Sequence, residues 1–188
     1  MTTLILALCL LVPSFPVPQR TRPAQPLRSV YLKDVDGDGK DDKLVYEIKR
    51  WKNDYEGSLV ITSAKGQTLW ADQWLMVKGD LEELIETEGE VTGKKVDLKS
   101  WVARFFSGGL NYGAKFERRK LKDSELQDTE QLAAFAKHFH VSPANLKKSI
   151  LSQETNSLLS YRAEWREDLI LLVYVPSLRS FICYQRGY

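Results

Sequence analysis

Soft-metal and thiol chemistry are scarce in this 188-residue chain, which has two cysteines and two histidines. Cys9 lies in an apolar N-terminal stretch, and Cys183 sits inside the apolar-aromatic run Phe181-Ile182-Cys183-Tyr184. If the first residues are removed, a single thiol remains and no internal disulfide can staple the fold. Cys183 in that setting reads as an inert buried thiol rather than a nucleophile. His138 and His140 are two residues apart, so on a helix they point about 200° from one another and cannot share an ion. They read as solvated groups near a helix C-terminus. Excess charge of one sign is also missing: 27 Lys and Arg against 25 Asp and Glu leave +2, which points to no polyanionic partner. Ser, His and Asp residues are present but unclustered, so no catalytic residue is assigned and an enzyme is not expected.

What is present suffices for a core. A hydrophobic share of 43% with 28% charged residues is that of an ordinary globular chain needing no covalent staples. The length fits one domain.

The chain opens with an uncharged apolar run, Leu4 to Val12, and no charged side chain precedes Arg20. Nine residues are too few to span a bilayer, which takes about 20, but they suit the core of a secretory signal. Val12 and Ser14 are small enough to precede a cut at Phe15. Leu6-Ala7-Leu8-Cys9 departs from a lipoprotein motif because leucine stands before the cysteine. Residues 1–14 are therefore read as a signal peptide, and the expected location is secreted or periplasmic. Pro16, Pro18, Pro23 and Pro26 make residues 15–27 a proline-rich tether. The folded domain is expected over residues 28–188.

The sharpest chemical signal is Asp34-Val35-Asp36-Gly37-Asp38-Gly39-Lys40-Asp41-Asp42. Strand-like segments flank it, Ser29 to Lys33 before and the alternating Leu44, Tyr46, Ile48 after, so the loop should close an antiparallel hairpin. Five carboxylates offset by one lysine in nine residues repel one another unless a cation sits among them. With neither Cys nor His in the loop, a hard ion such as Ca2+ is favoured over zinc or copper. Asp34, Asp36 and Asp38 take positions 1, 3 and 5 of a calcium loop, the Lys40 carbonyl position 7 and Asp42 position 9. Val45 stands at position 12, where an EF-hand requires a bidentate glutamate, and the flanks are strands; an EF-hand is excluded. The spacing D-x-D-x-D-G-x-x-D between strands resembles the FG-GAP and VCBS-type repeats of integrin-like propellers over residues 28–48. That resemblance implies calcium held by the carboxylates of Asp34, Asp36, Asp38 and Asp42 and by the Lys40 carbonyl. The loop has no second copy in the chain, and a propeller needs several.

Further strands are expected at Leu59 to Thr62 and Thr68 to Leu75, joined by a turn at residues 64–67. A short helix or loop should cover the acidic stretch Gly79 to Gly89. Asp97 caps a helix whose apolar stripe is Leu98, Trp101, Val102, Phe105 and Phe106, ending at Gly108-Gly109. A second helix starts after Asp128 with Leu132, Phe135, Ala136 and Phe139 on one face, and Ser142-Pro143 starts a third. Residues 129–151 resemble the helix-turn-helix of arabinose-regulator-type transcription factors, with His140 where a turn glycine is usual. That resemblance implies a recognition helix opening at Pro143. Lys147 and Lys148 alone give it a thin phosphate footprint, so no nucleic acid is expected. Three strands close the chain: one alternating through Leu159, Tyr161, Ala163 and Trp165, Leu169 to Val175 apolar on both faces and so central, and Arg179 to Gln185, with a turn at Arg166-Glu167-Asp168.

Strands, then helices, then strands predict a single α+β domain with antiparallel sheets at both ends and a helical middle. The expected role is an exported calcium-binding module, structural or binding a protein or glycan partner. A calcium-dependent hydrolase and a DNA binder through residues 129–151 are the alternatives.

Overall fold

The structure is a computed structural model and describes residues 25–107, 113–126, 129–162 and 169–187. The expected signal segment and most of the tether lie outside the described residues, as do Asp128, Gly108-Gly109, Ala163, Trp165 and the turn at Arg166-Glu167-Asp168.

Strands β1 (Leu27–Lys33), β2 (Asp42–Trp51), β3 (Asp54–Thr62) and β4 (Thr68–Met76) form an antiparallel meander in the order β1-β2-β3-β4. The alternation read in β2 is its burial pattern: Leu44, Tyr46 and Ile48 are all within 2% of full burial. They share the inner face with Leu59, Ile61, Leu69 and Trp74, while Val30, Leu32 and Leu75 lie open on the chain's surface.

Helix α1 (Lys78–Thr92) follows and is longer than the acidic stretch suggested, because Leu81, Leu84 and Ile85 recur at helical spacing on its core side. Helix α2 (Leu98–Ala103) is capped by Asp97, whose carboxylate accepts the Ser100 N–H at 2.7 Å. The apolar stripe continues to Phe106, yet the helix stops three residues earlier. The Phe105 carbonyl is taken by the Ala114 N–H at 2.8 Å, so it is committed to the returning chain. The turn sends Phe105 flat against Tyr46, ring centres 3.6 Å apart, and lays Phe106 on Tyr31 at 5.7 Å.

Strand β5 (Lys115–Arg119) interrupts the helical middle and was not read from the sequence. It pairs with β6 (Asn156–Arg162), which is followed by β7 (Leu169–Val175) and β8 (Ser180–Gly187) in a second antiparallel sheet ordered β5-β6-β7-β8. Strand β7 is interior and apolar on both faces because both faces are covered. Leu159, Tyr161, Ile170, Leu172, Phe181 and Cys183 join the core shared with the first sheet. Leu158, Val173, Val175 and Ile182 instead meet α3 (Thr129–His138) and α4 (Pro143–Leu151) through Leu132, Ala136, Leu146 and Ile150. Ser142 caps α4 as expected, accepting the Asn145 N–H at 3.2 Å, and His140 adopts φ 55° in the turn between the two helices. The molecule is thus an α+β domain of two antiparallel sheets, with one helix pair closing the far side of the second.

Polar ties run between these layers. The buried Tyr161 hydroxyl donates to Asp72 Oδ2 at 2.6 Å and accepts from Trp70 Nε1 at 3.1 Å. Burial, with Asp72 second, pushes its pKa up, so the phenol stays a donor. Ser180 Oγ donates to the Leu69 carbonyl at 2.9 Å. Asn156, fully buried, accepts the Leu121 N–H at 2.9 Å and donates to the Ile150 carbonyl at 3.0 Å. One amide side chain thereby pins the end of α4 and the exit of β5. Asn156→Ala should leave the Leu121 N–H without its acceptor, while the Ile150 carbonyl keeps the Gln153 N–H at 3.3 Å, and lower stability by about 1–3 kcal/mol, read as a fall in the urea midpoint at unchanged slope.

Candidate metal centre

Lys33 and Asp42 are paired across the β1–β2 hairpin, so residues 34–41 form its closing loop, as the flanking patterns required. Short aspartates turn the backbone onto their own side chains. Asp34 Oδ1 accepts the Gly37 N–H at 2.7 Å and Oδ2 accepts the Gly39 N–H at 3.3 Å. Asp36 Oδ1 accepts from Asp38 N–H at 3.0 Å, and Asp38 Oδ1 from Lys40 N–H at 2.9 Å. Gly37 and Gly39 sit at φ 85° and 84°, in the left-handed region where a side chain would be strained.

Asp42 has no solvent exposure at all. Its Oδ2 accepts the N–H groups of Val35 at 2.9 Å and Asp36 at 3.1 Å, and its Oδ1 accepts that of Ala64 at 3.0 Å. Val35, equally buried, anchors the loop in the core shared by the two sheets. These constraints bring one carboxylate oxygen from each of Asp34, Asp36 and Asp42 within 4.8 Å of one another. The three form a group able to hold a metal ion, although acidic clusters of this kind are common without one.

Of the four carboxylates expected as ligands, the structure gathers three in this group. Asp38 falls outside the group; its side chain is turned to the Lys40 N–H and lies 3.9 Å from Lys65 Nζ. Lys40, expected to offer its backbone carbonyl, is an exposed residue two positions before β2.

Electrostatics fit a site that wants positive charge. Burial raises the Asp36 carboxyl above its ordinary value, opposed by the Asp38 N–H and reinforced by Asp42, Asp38 and Asp34. The same carboxylates act on Tyr174 of the second sheet, whose phenol is pushed up by burial first and by Asp36 and Asp42 next. A resident cation is already at hand: Arg118 Nη2 of β5 lies 3.2 Å from Asp34 Oδ2 and donates to the Asp34 carbonyl at 2.8 Å. Sequence reading missed Arg118 and the Ala64 N–H. Neither is near the loop in sequence, and no local pattern marks them.

Comparison with protein-family models, with curated proteins and with solved structures found no match to this chain. Fold and site define its class: an α+β protein with a carboxylate-lined hairpin loop at the seam of two sheets.

Two substitutions in the metal-free protein should separate the roles of these carboxylates. Asp42→Asn removes acceptors from buried N–H groups and should destabilise by about 2–4 kcal/mol. Asp36 carries the opposite sign. Because its folded pKa is raised above the ordinary 3.8, its protonated form favours folding, and that contribution is lost as pH rises through the folded value. Asp36→Asn should remove this downward step from the stability-pH curve on the neutral side of pH 3.8, as followed by thermal melting.

Proposed function

We propose that this chain is an exported calcium-binding module in which the ion fastens the β1–β2 loop, and that its work is structural or binding rather than catalytic. The observation that carries the reading is the convergence of Asp34, Asp36 and Asp42 beside the junction of the two sheets. All donors there are oxygens, and an oxygen-only set favours Ca2+ over softer metals. Asp38 and the Lys40 carbonyl would complete the set by turning inward on an ion, as the resemblance to FG-GAP loops implies.

The apolar N-terminal run favours export, and calcium outside the cell is abundant enough to fill even a weak loop. No helix among the described residues is long and apolar enough to cross a membrane. Lys147, one of two basic side chains on the expected recognition helix, is engaged with Asp123 at 2.7 Å, which favours the protein or glycan partner over a nucleic acid.

Calorimetric titration with Ca2+ alongside thermal melting tests the reading on wild type and Asp36→Ala. At about one hundred times Kd, bound calcium should add about 2.7 kcal/mol and raise the wild-type Tm by about 5–10 °C. Asp36→Ala should lose both the heat of binding and the Tm shift. Wild-type protein that shows neither, or a variant that keeps both, would defeat the proposal.

A further inference from the structure

Among the described residues the two sheets end in four edge strands, β1, β4, β5 and β8. The outward N–H and C=O groups of an edge pair with another chain unless something blocks them. Three of these edges carry a block. Strand β5 is charged at Lys115, Glu117, Arg118 and Arg119. Strand β4 has a bulge: Ile61 faces Trp70 and Thr62 faces Thr68, which leaves Leu69 unmatched. The Leu69 carbonyl is moreover taken by Ser180 Oγ at 2.9 Å. Strand β8 has a second bulge, since Leu171 faces Gln185 and Leu172 faces Cys183 with Tyr184 between them. Bulges twist an edge away from stray partners.

Strand β1 has none of these devices. Its seven residues pair with β2 in unbroken register, and no other strand among the described residues borders it. Its middle, Ser29-Val30-Tyr31-Leu32, is uncharged, and its charges stand toward the two ends at Arg28 and Lys33. Lys33 Nζ is drawn inward, 4.6 Å from the centre of the Phe116 ring on the second sheet. Val30 and Leu32 are exposed on the face opposite the core. Val30 also begins a cross-strand row that runs through Val45 and Val60 to Ala71 on that face.

We propose that β1 is a homodimer edge, joined antiparallel to β1 of a second copy about a two-fold axis at Val30. The two first sheets then fuse into one of eight strands. A two-fold contact sets a strand against itself reversed, so the strand must be self-complementary. Centred on Val30, the pairing places Arg28 opposite Leu32 and Lys33 opposite Leu27, and no like charges meet. Val30 meets Val30 on the axis, and the two apolar rows become continuous. Because β4 is blocked at Leu69, the fused sheet closes at two copies instead of growing into a fibre. None of the three clustered aspartates takes part, so the dimer forms whether or not the loop takes calcium.

Sedimentation equilibrium of the full chain without calcium is the test, run from about 1 μM to about 1 mM because one strand edge makes a small interface and a weak dimer. The mass should rise with concentration from one chain to two and no further. Val30→Lys sets like charges against each other on the axis and should weaken the dimer about tenfold, as should Val30→Glu. Mixing these two variants should restore it, since opposite charges then meet. Leu75→Lys, at an exposed position on the same face of β4, should leave association unchanged, which separates edge pairing from face-to-face packing. At dilution all three variants should melt as the wild type does. A mass of one chain throughout, growth beyond two, association that survives Val30→Lys, dissociation by Leu75→Lys, or charged variants that stay apart when mixed would overturn the proposal.

Discussion

The structure around the loop depends on one buried carboxylate. Asp42 opens β2 with no solvent exposure, and burial of a charge is tolerated only where hydrogen bonds replace its water. Three backbone N–H groups do so, two from the β1–β2 loop and one from Ala64 in the turn between β3 and β4. That turn is itself closed by the Gly66 N–H on the Ser63 carbonyl at 2.8 Å. One side chain thus locks the β1–β2 and β3–β4 turns together at the same end of the sheet. The positions of Asp34 and Asp36 follow from this lock, since the backbone that carries them is the backbone Asp42 holds.

The second constraint is coverage. The second sheet is buried on both faces, by the first sheet on one side and by α3 and α4 on the other. The first sheet is covered on one face only, which is why Val30, Leu32 and Leu75 remain at 50%, 60% and 59% exposure. Ties between the sheets gather at polar points, Asp72 with Tyr161, Leu69 with Ser180 and Asp34 with Arg118. The acidic loop is therefore one of the places where the sheets are joined, rather than an appendage to one of them.

Legibility from sequence tracked how local the physics is. Alternation in β2, double-sided apolarity in β7 and the Asp97 and Ser142 caps are properties of adjacent residues, and the structure has them where the pattern put them. Strand β5 escaped because Lys115, Glu117, Arg118 and Arg119 make four of its five residues charged. It is an edge strand held by ladder hydrogen bonds to β6, and charge on an edge protects against stray pairing instead of announcing a strand. The end of α2 escaped because the chain tightens there, the Trp101 and Val102 carbonyls being taken three residues on by the Arg104 and Phe105 N–H groups, while the Phe105 carbonyl accepts the distant Ala114 N–H. In the loop, the cluster of Asp34, Asp36 and Asp42 was legible as spacing. The outward turn of Asp38 and the approach of Arg118 were not, since each depends on a contact to a residue elsewhere in the fold or on rotamer choice.

Arg118 bears directly on what an ion would do in this loop. Crowded aspartates without a counter-charge would spread apart, and a metal would then be needed to fold the hairpin at all. Here the guanidinium already neutralises Asp34, backbone N–H groups satisfy Asp42, and the Asx turns hold the rest, so the loop is formed by the chain's own donors. A cation entering the cluster would have to share Asp34 with Arg118, and that shared charge lowers its affinity while sparing the fold from dependence on it. An ion bound under those terms acts as a second fastener on a closed loop, and its effect belongs in stability and local rigidity more than in whether the domain folds.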